Sequence, residues 1–195
     1  SEYKSCLDRA GGDALKSRAL LGLAESYGKS NLTEEAIAAL DEIIRIYPTS
    51  GEAPAAYCEK AKILFGAARY KEAERVSRDA IEKFPNSENL GRLYYGLGLS
   101  YAAQGRYEAA IGRFVLAGNT SDDIFLKSAA LCGIGDIYST LKNYDKAVES
   151  YDIVLDKYPD SPRADYAQFR IANIFLSLGQ FDLAVLAYQS ALVNF

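Results

Sequence analysis

The chain has 195 residues, with 22 Lys and Arg against 26 Asp and Glu, a net charge of −4, 49% apolar residues and no His. Its cations are scattered among acids, so it lacks the basic stripe that phosphate neutralisation needs, which argues against nucleic-acid binding. The lack of His removes Ser-His-Asp and Cys-His catalysis and the commonest metal ligand, and no apolar run approaches the roughly 18 residues needed to suspect a membrane span.

Residues 1–13 read as the tail of a preceding repeat, because Tyr3, Cys6 and Leu7 stand in phase with Leu40, Ile43 and Ile44. Five helical hairpins follow. Repeat 14–50 is predicted to hold helices near 14–28 and 33–47, and repeat 51–87 helices near 51–67 and 71–84. Repeat 88–124 holds helices near 88–104 and 107–118. Its second helix is expected to stop after Gly118, because Asp122 replaces a proline in AGNTSDD, and Ser121, Asp122 or Asp123 is expected to cap the next helix. Repeat 125–161 carries helices near 123–141 and 144–158, and repeat 162–195 helices near 162–178 and 181–195. Both ends of the chain are read as cut from a longer array.

The period behind these boundaries is 37 residues. Ala36, Ala73, Ala110, Ala147 and Ala184 mark it. Three residues earlier stand Tyr70, Tyr107, Tyr144 and Phe181; nine earlier stand Tyr27, Leu64, Tyr101, Tyr138 and Phe175. Twelve earlier the residue is small, as Ala24, Ala61, Gly98, Gly135 and Ala172, and twelve later come Pro48, Pro85 and Pro159. Small and large residues alternating at helical spacing let antiparallel helices approach at the one and interlock at the other.

This pattern resembles the tetratricopeptide repeat family over essentially the whole chain. The signature is fullest at Tyr94, Leu97, Gly98, Tyr101, Gly105, Tyr107, Ala110, Phe114 and Ala117, and again at Leu131, Ile134, Gly135, Tyr138, Tyr144, Ala147, Tyr151, Val154 and Pro159. The resemblance implies an all-α, right-handed superhelical solenoid of antiparallel helix hairpins. The common repeat is 34 residues long. The three additional residues fall in connectors such as YPTSGEAPAAY, where Ser50, Ser87, Ser161 and Asp13 are expected to cap first helices that begin almost a turn early. Such 37-residue repeats resemble those of bacterial envelope proteins of the Tol-Pal-associated and outer-membrane assembly lipoprotein types. That likeness favours the periplasm or envelope over the cytoplasm.

Chemistry-bearing motifs are scarce. Cys6, Cys58 and Cys132 form no CxxC pair and are read as reduced, buried thiols. Gly96–Gly98 and Gly133–Gly135 fall inside predicted helices with no strand before them, so they are packing points and not phosphate loops. No catalytic, metal or cofactor residue is predicted.

Surface recognition remains. A stripe on each first helix, offset from the core stripe, is expected to line the concave groove that this family uses for peptides. It holds Arg18, Leu21 and Glu25; then Cys58, Lys62 and Phe65; Arg92, Tyr95 and Leu99; Cys132, Asp136 and Ser139; and Tyr166, Phe169, Arg170 and Asn173. Aromatic residues and Arg are common binding hot spots. Arg170 and Asn173 fit part of the carboxylate clamp of some family members. Leu21, Cys58 and Cys132 stand where a clamp Lys is wanted, so no clamp is predicted. Lys60 is expected to lay its stem along the groove rim. The function expected is a non-catalytic scaffold for a protein or peptide partner. The alternative is an assembly module that self-associates through terminal helices around Tyr3, Leu7, Leu192 and Phe195, which lack polar caps.

Overall fold

The structure, a computed structural model, describes residues 12–194. Among them are ten α-helices and no strand. They are α1 (Asp13–Lys29), α2 (Thr33–Ile46), α3 (Ala53–Gly66), α4 (Tyr70–Lys83), α5 (Leu90–Ala103), α6 (Tyr107–Thr120), α7 (Ile124–Thr140), α8 (Tyr144–Lys157), α9 (Ala164–Ser177) and α10 (Phe181–Asn194). The chain divides into two compact units, Ser1–Gln104 and Gly105–Phe195, and the division falls inside the expected repeat 88–124. The expected tail at Tyr3, Cys6 and Leu7, like Phe195, lies outside the described residues.

Within the first unit α1 packs on α2 and α3 on α4, with α5 against α4; within the second α6 packs on α7, α7 on α8 and α9 on α10. The period-marking alanines sit at these contacts, with Ala36, Ala110 and Ala147 at 0% exposure. In the first unit Leu20, Leu40 and Ile43 fill the space between α1 and α2, and Tyr57, Leu64 and Val76 that between α3 and α4. In the second, Tyr151, Val154 and Ile171 occupy the corresponding core.

The tight turns follow a period of their own. Asn31, Ala68, Gly105, Lys142 and Gly179 all adopt φ between 58° and 73° and stand 37 residues apart. After the left-handed residue, the next amide reaches back to a carbonyl in the last helical turn, as from Arg69 to Leu64 and from Asn143 to Tyr138, both at 2.9 Å. This is the Schellman closure of a helix end. Only two of the five positions hold Gly, although a side chain in this region costs about 1–2 kcal/mol.

The connectors correct the expected helix starts. Ser50, Ser87 and Ser161 donate their amides to the carbonyls of Tyr47, Phe84 and Tyr158, and a second turn follows at once from Ala53, Leu90 and Ala164 back to each serine. The additional residues are thus folded into two consecutive turns, and α3, α5 and α9 stay at 14 residues. The N-cap residues are Glu52, Asn89 and Arg163, not the serines. Ser87 and Ser161 hydroxyls instead accept the amides of Asn89 and Arg163 within the connector, at 3.1 and 3.2 Å. At the N-terminal repeat Gly12, not Asp13, is the N-cap.

Longer first helices do occur where no such double turn intervenes. Both α1 and α7 have 17 residues. Ahead of α7, Asp122 replaces the proline, and Asp123 caps the helix by accepting the amides of Phe125 and Leu126 at 2.9 and 3.4 Å. The expected early stop at Gly118 is not found: α6 runs to Thr120, whose hydroxyl donates to the Leu116 carbonyl at 2.7 Å.

The glycine pairs lie inside helices α5 and α7. A methyl group added at Gly133 would stand 2.9 Å from the Phe114 ring, and one at Gly135 would stand 2.6 Å from the Tyr151 ring. These glycines are seats for aromatic rings. At Gly96 the nearest atom is the Ser77 hydroxyl at 3.8 Å, because serine stands where the next two repeats carry those rings.

Candidate functional site

The first-helix stripe is not uniform between the units. In the first, Arg18 is exposed and pairs with Glu52 at 3.3 Å, and Glu52 also accepts the buried Ser17 hydroxyl at 2.8 Å. Those bonds, led by the one from Ser17, hold the Glu52 carboxyl below its ordinary value. Leu21 packs on the α1–α2 core and Glu25 is exposed. Lys62 turns along its own helix to Glu59 at 2.9 Å. Phe65 packs against the Tyr70 ring at 5.3 Å between centroids, so much of its surface serves the core. Arg92 is exposed, and Tyr95 and Leu99 are half-buried. Lys60 forms an ion pair with Asp41 on α2.

The two cysteines in the stripe are not surface groups. Cys132 is only 3% exposed and Cys58 half-buried, and their thiols donate to the carbonyls of Arg163 and Asn89, both at 3.9 Å. Burial pushes both thiols up to about 12. The Cys132 position is therefore a helix-to-helix contact, because the first residues of α9 close over it.

In the second unit the stripe converges. Asp136 on α7 accepts the Tyr166 hydroxyl on both carboxylate oxygens at 2.8 Å and pairs with Arg170 at 3.1 Å. The Tyr151 hydroxyl, from α8, completes the cluster at 2.7 Å. Arg170 also lies over the Tyr166 ring, 5.7 Å from its centroid. One turn further along α9, Asn173 accepts the Tyr188 hydroxyl at 2.7 Å and donates to the Phe169 carbonyl at 2.9 Å. The Phe169 ring remains 50% exposed and leans on the Tyr188 ring at 6.0 Å.

The electrostatics make this a fixed set of donors. Burial, and then the bond to Asp136, raise the Tyr151 and Tyr166 phenols far above their ordinary value, so both stay protonated. Burial opposes the Arg170 charge, but Asp136 and the phenols outweigh it and raise the pKa above its ordinary value. The carboxylate is matched by one guanidinium and two hydroxyls. The cluster therefore carries no uncompensated charge.

Five predicted residues thus come together: Asp136, Tyr166, Phe169, Arg170 and Asn173. Sequence reasoning missed Tyr151 and Tyr188, which stand on second helices and bring their hydroxyls, and in Tyr188 the ring as well, to the stripe. Their signal is spacing, since each follows a polar stripe residue, Asp136 or Asn173, by 15 positions.

Three solved structures with similar folds span most of this chain. MamA from Desulfovibrio magneticus RS-1 is 16% identical, with 95% of this chain and 97% of that chain covered and a TM-score of 0.69. A putative kinesin light chain from Podosopora anserina, with nearly identical TPR-like repeats, is 16% identical over 91% and 93% of the chains, with a TM-score of 0.73. The pilF protein of Pseudomonas aeruginosa is 19% identical over 100% of this chain and 79% of its own, again with a TM-score of 0.73. No curated protein matches the chain in sequence. The helix hairpins are thus of the tetratricopeptide type, and with residues 23–192 matching the YfiO model, described as outer membrane lipoprotein, the chain belongs to that family.

Proposed function

We propose that this chain is a non-catalytic protein-interaction scaffold whose first-helix face holds a segment of a protein partner, anchored at Tyr166, Phe169, Arg170 and Asn173. The observation that carries the reading is the half-exposed Phe169 ring, held against Tyr188 beside the cluster of Asp136, Tyr151, Tyr166 and Arg170. A rigid, exposed ring next to prearranged donors loses little entropy on binding, which is the usual make-up of a hot spot. Arg92, Tyr95 and Leu99 occupy the equivalent positions on α5 of the first unit and are proposed as a contact face of that unit by itself. The family's description supports association with the bacterial envelope; fractionation of the native protein tests this.

The test of the face is recovery of the native partner with Phe169→Glu and with Tyr95→Glu. Loss of the partner at unchanged helix content and unfolding midpoint supports the proposal. Unchanged recovery with both variants overturns it.

A second reading has its own observation. On α10, Leu183, Val185, Leu186 and Leu192 are 46–82% exposed, an apolar face of the kind through which proteins associate. Sedimentation velocity over a concentration series discriminates: self-association abolished by Leu186→Glu favours assembly through α10, and a monomer throughout removes that reading.

A further inference from the structure

Away from the first-helix stripe, the second unit carries a cleft of about 510 Å³ between α8 and the end of α9. Val148 and Phe175 form part of its apolar floor, and Asp145, Glu149, Asp152 and Asp156 line its α8 side. These acids stand at i, i+4, i+7 and i+11, which places them within an arc of about 60° and over about 16 Å of helix. All four are exposed, and none has an ion-pair or hydrogen-bond partner among the described residues. Of the two lysines on α8, Lys146 is turned to the Tyr138 ring and Lys157 lines the neighbouring cleft.

Like charges at this spacing repel and destabilise their own helix. Partial desolvation over the floor, and then the neighbouring Asp156, raise the Asp152 carboxyl above its ordinary value. The neighbouring cleft between α6, α7 and α8 is lined instead by Lys127 and Lys157. Acidity is therefore not a property of every gap between repeats.

We infer that the α8–α9 cleft docks an amphipathic helix of a partner protein that carries Lys or Arg at i, i+4 and i+7 beside an apolar stripe. The apolar floor takes the stripe, and the carboxylates take the cations. A helix laid along α8 repeats the acids' spacing turn for turn, whereas an extended strand, rising about 3.3 Å per residue, meets them out of step. This occupant is independent of the segment proposed for the first-helix face.

The probe is a synthetic helical peptide of about 14 residues with Lys at i, i+4, i+7 and i+11 and Leu on the adjoining stripe, measured by fluorescence anisotropy against the whole chain. Binding is expected to weaken about tenfold in Glu149→Gln/Asp152→Asn, as two exposed ion pairs each worth a few-fold are lost, and to persist in Phe169→Glu. Val148→Trp, which fills the floor, should also abolish it at an unchanged unfolding midpoint. Equal binding of a scrambled peptide of the same composition, no change in the double acidic variant, or no binding of the peptide overturns the inference. So does a concentration-dependent dimer of the chain that Glu149→Gln/Asp152→Asn dissolves, since the cleft is then filled by a second copy.

Discussion

Tyr151 is completely buried on α8, yet its hydroxyl reaches Asp136 on α7 at 2.7 Å and so joins the hairpin core to the polar cluster on the first-helix face. One residue thereby serves both packing and surface geometry.

Removing that hydroxyl separates the two roles. Tyr151→Phe keeps the ring on Gly135 but deletes a bond to a charged acceptor, with an expected loss of about 1.5–3 kcal/mol in urea unfolding. Asp136→Ala should cost more than Tyr151→Phe, because it strands a buried hydroxyl and leaves Arg170 unpaired. A smaller loss for Asp136→Ala would show that the carboxylate does not organise the cluster.

The glycine seats give a signed contrast. Gly135→Ala drives a methyl group to 2.6 Å from the Tyr151 ring and is expected to destabilise by about 1–3 kcal/mol. Gly96→Ala meets only the Ser77 hydroxyl at 3.8 Å, so helix propensity should dominate and stabilise by up to about 1 kcal/mol. Thermal midpoints of the two variants should move in opposite directions.

At the turns, Ala68 and Lys142 hold φ of 58° with a side chain present. Ala68→Gly and Lys142→Gly are each expected to raise stability, by about 1 kcal/mol. The comparison is with Gly105→Ala, which should lower it by a similar amount. Chemical unfolding midpoints read all three.

Glu52 provides a pH signature. Its carboxyl is lowered in the folded chain from the ordinary 4.5, first by the Ser17 hydroxyl, so the stabilisation is complete above the unfolded value and fades as pH falls through the folded one. Glu52→Gln removes this dependence. The drop in unfolding midpoint between about pH 6 and about pH 3.5 should therefore be smaller in the variant than in the parent chain.

The thiols predict slow chemistry. With both pushed up to about 12 by burial, Cys58 and Cys132 carry almost no thiolate at neutral pH. A short alkylation pulse followed by peptide mapping should label them only after denaturant is added.

The helices were legible because their packing residues recur every 37 positions, and the boundaries of α8 and α10 fall within a residue or so of expectation. The left-handed turns obey the same period but were hidden by composition, since Asn31, Ala68 and Lys142 do not look like glycine positions. The starts of α3, α5 and α9 were misjudged for a physical reason. A serine before a helix is read as its cap, but after Tyr-Pro or Phe-Pro its amide closes one turn and its carbonyl starts another, so three residues are used before α3, α5 or α9 begins. Of the stripe, side-chain type and phase placed Asp136, Tyr166, Phe169, Arg170 and Asn173. They did not reveal that a second helix supplies hydroxyls from beneath, because a buried ring and a surface oxygen on the same tyrosine belong to different faces.

The ring seats on α7 also bear on modularity. Phe114 arrives at Gly133 from α6, and Tyr151 arrives at Gly135 from α8, so α7 is shaped by the particular side chains of both its neighbours. A duplicated α7 placed beside a serine like Ser77 would face a void, and one given an alanine at either seat would reject its ring. The repeats share a length without being interchangeable parts, and this array can gain or lose units only where ring and seat are exchanged together.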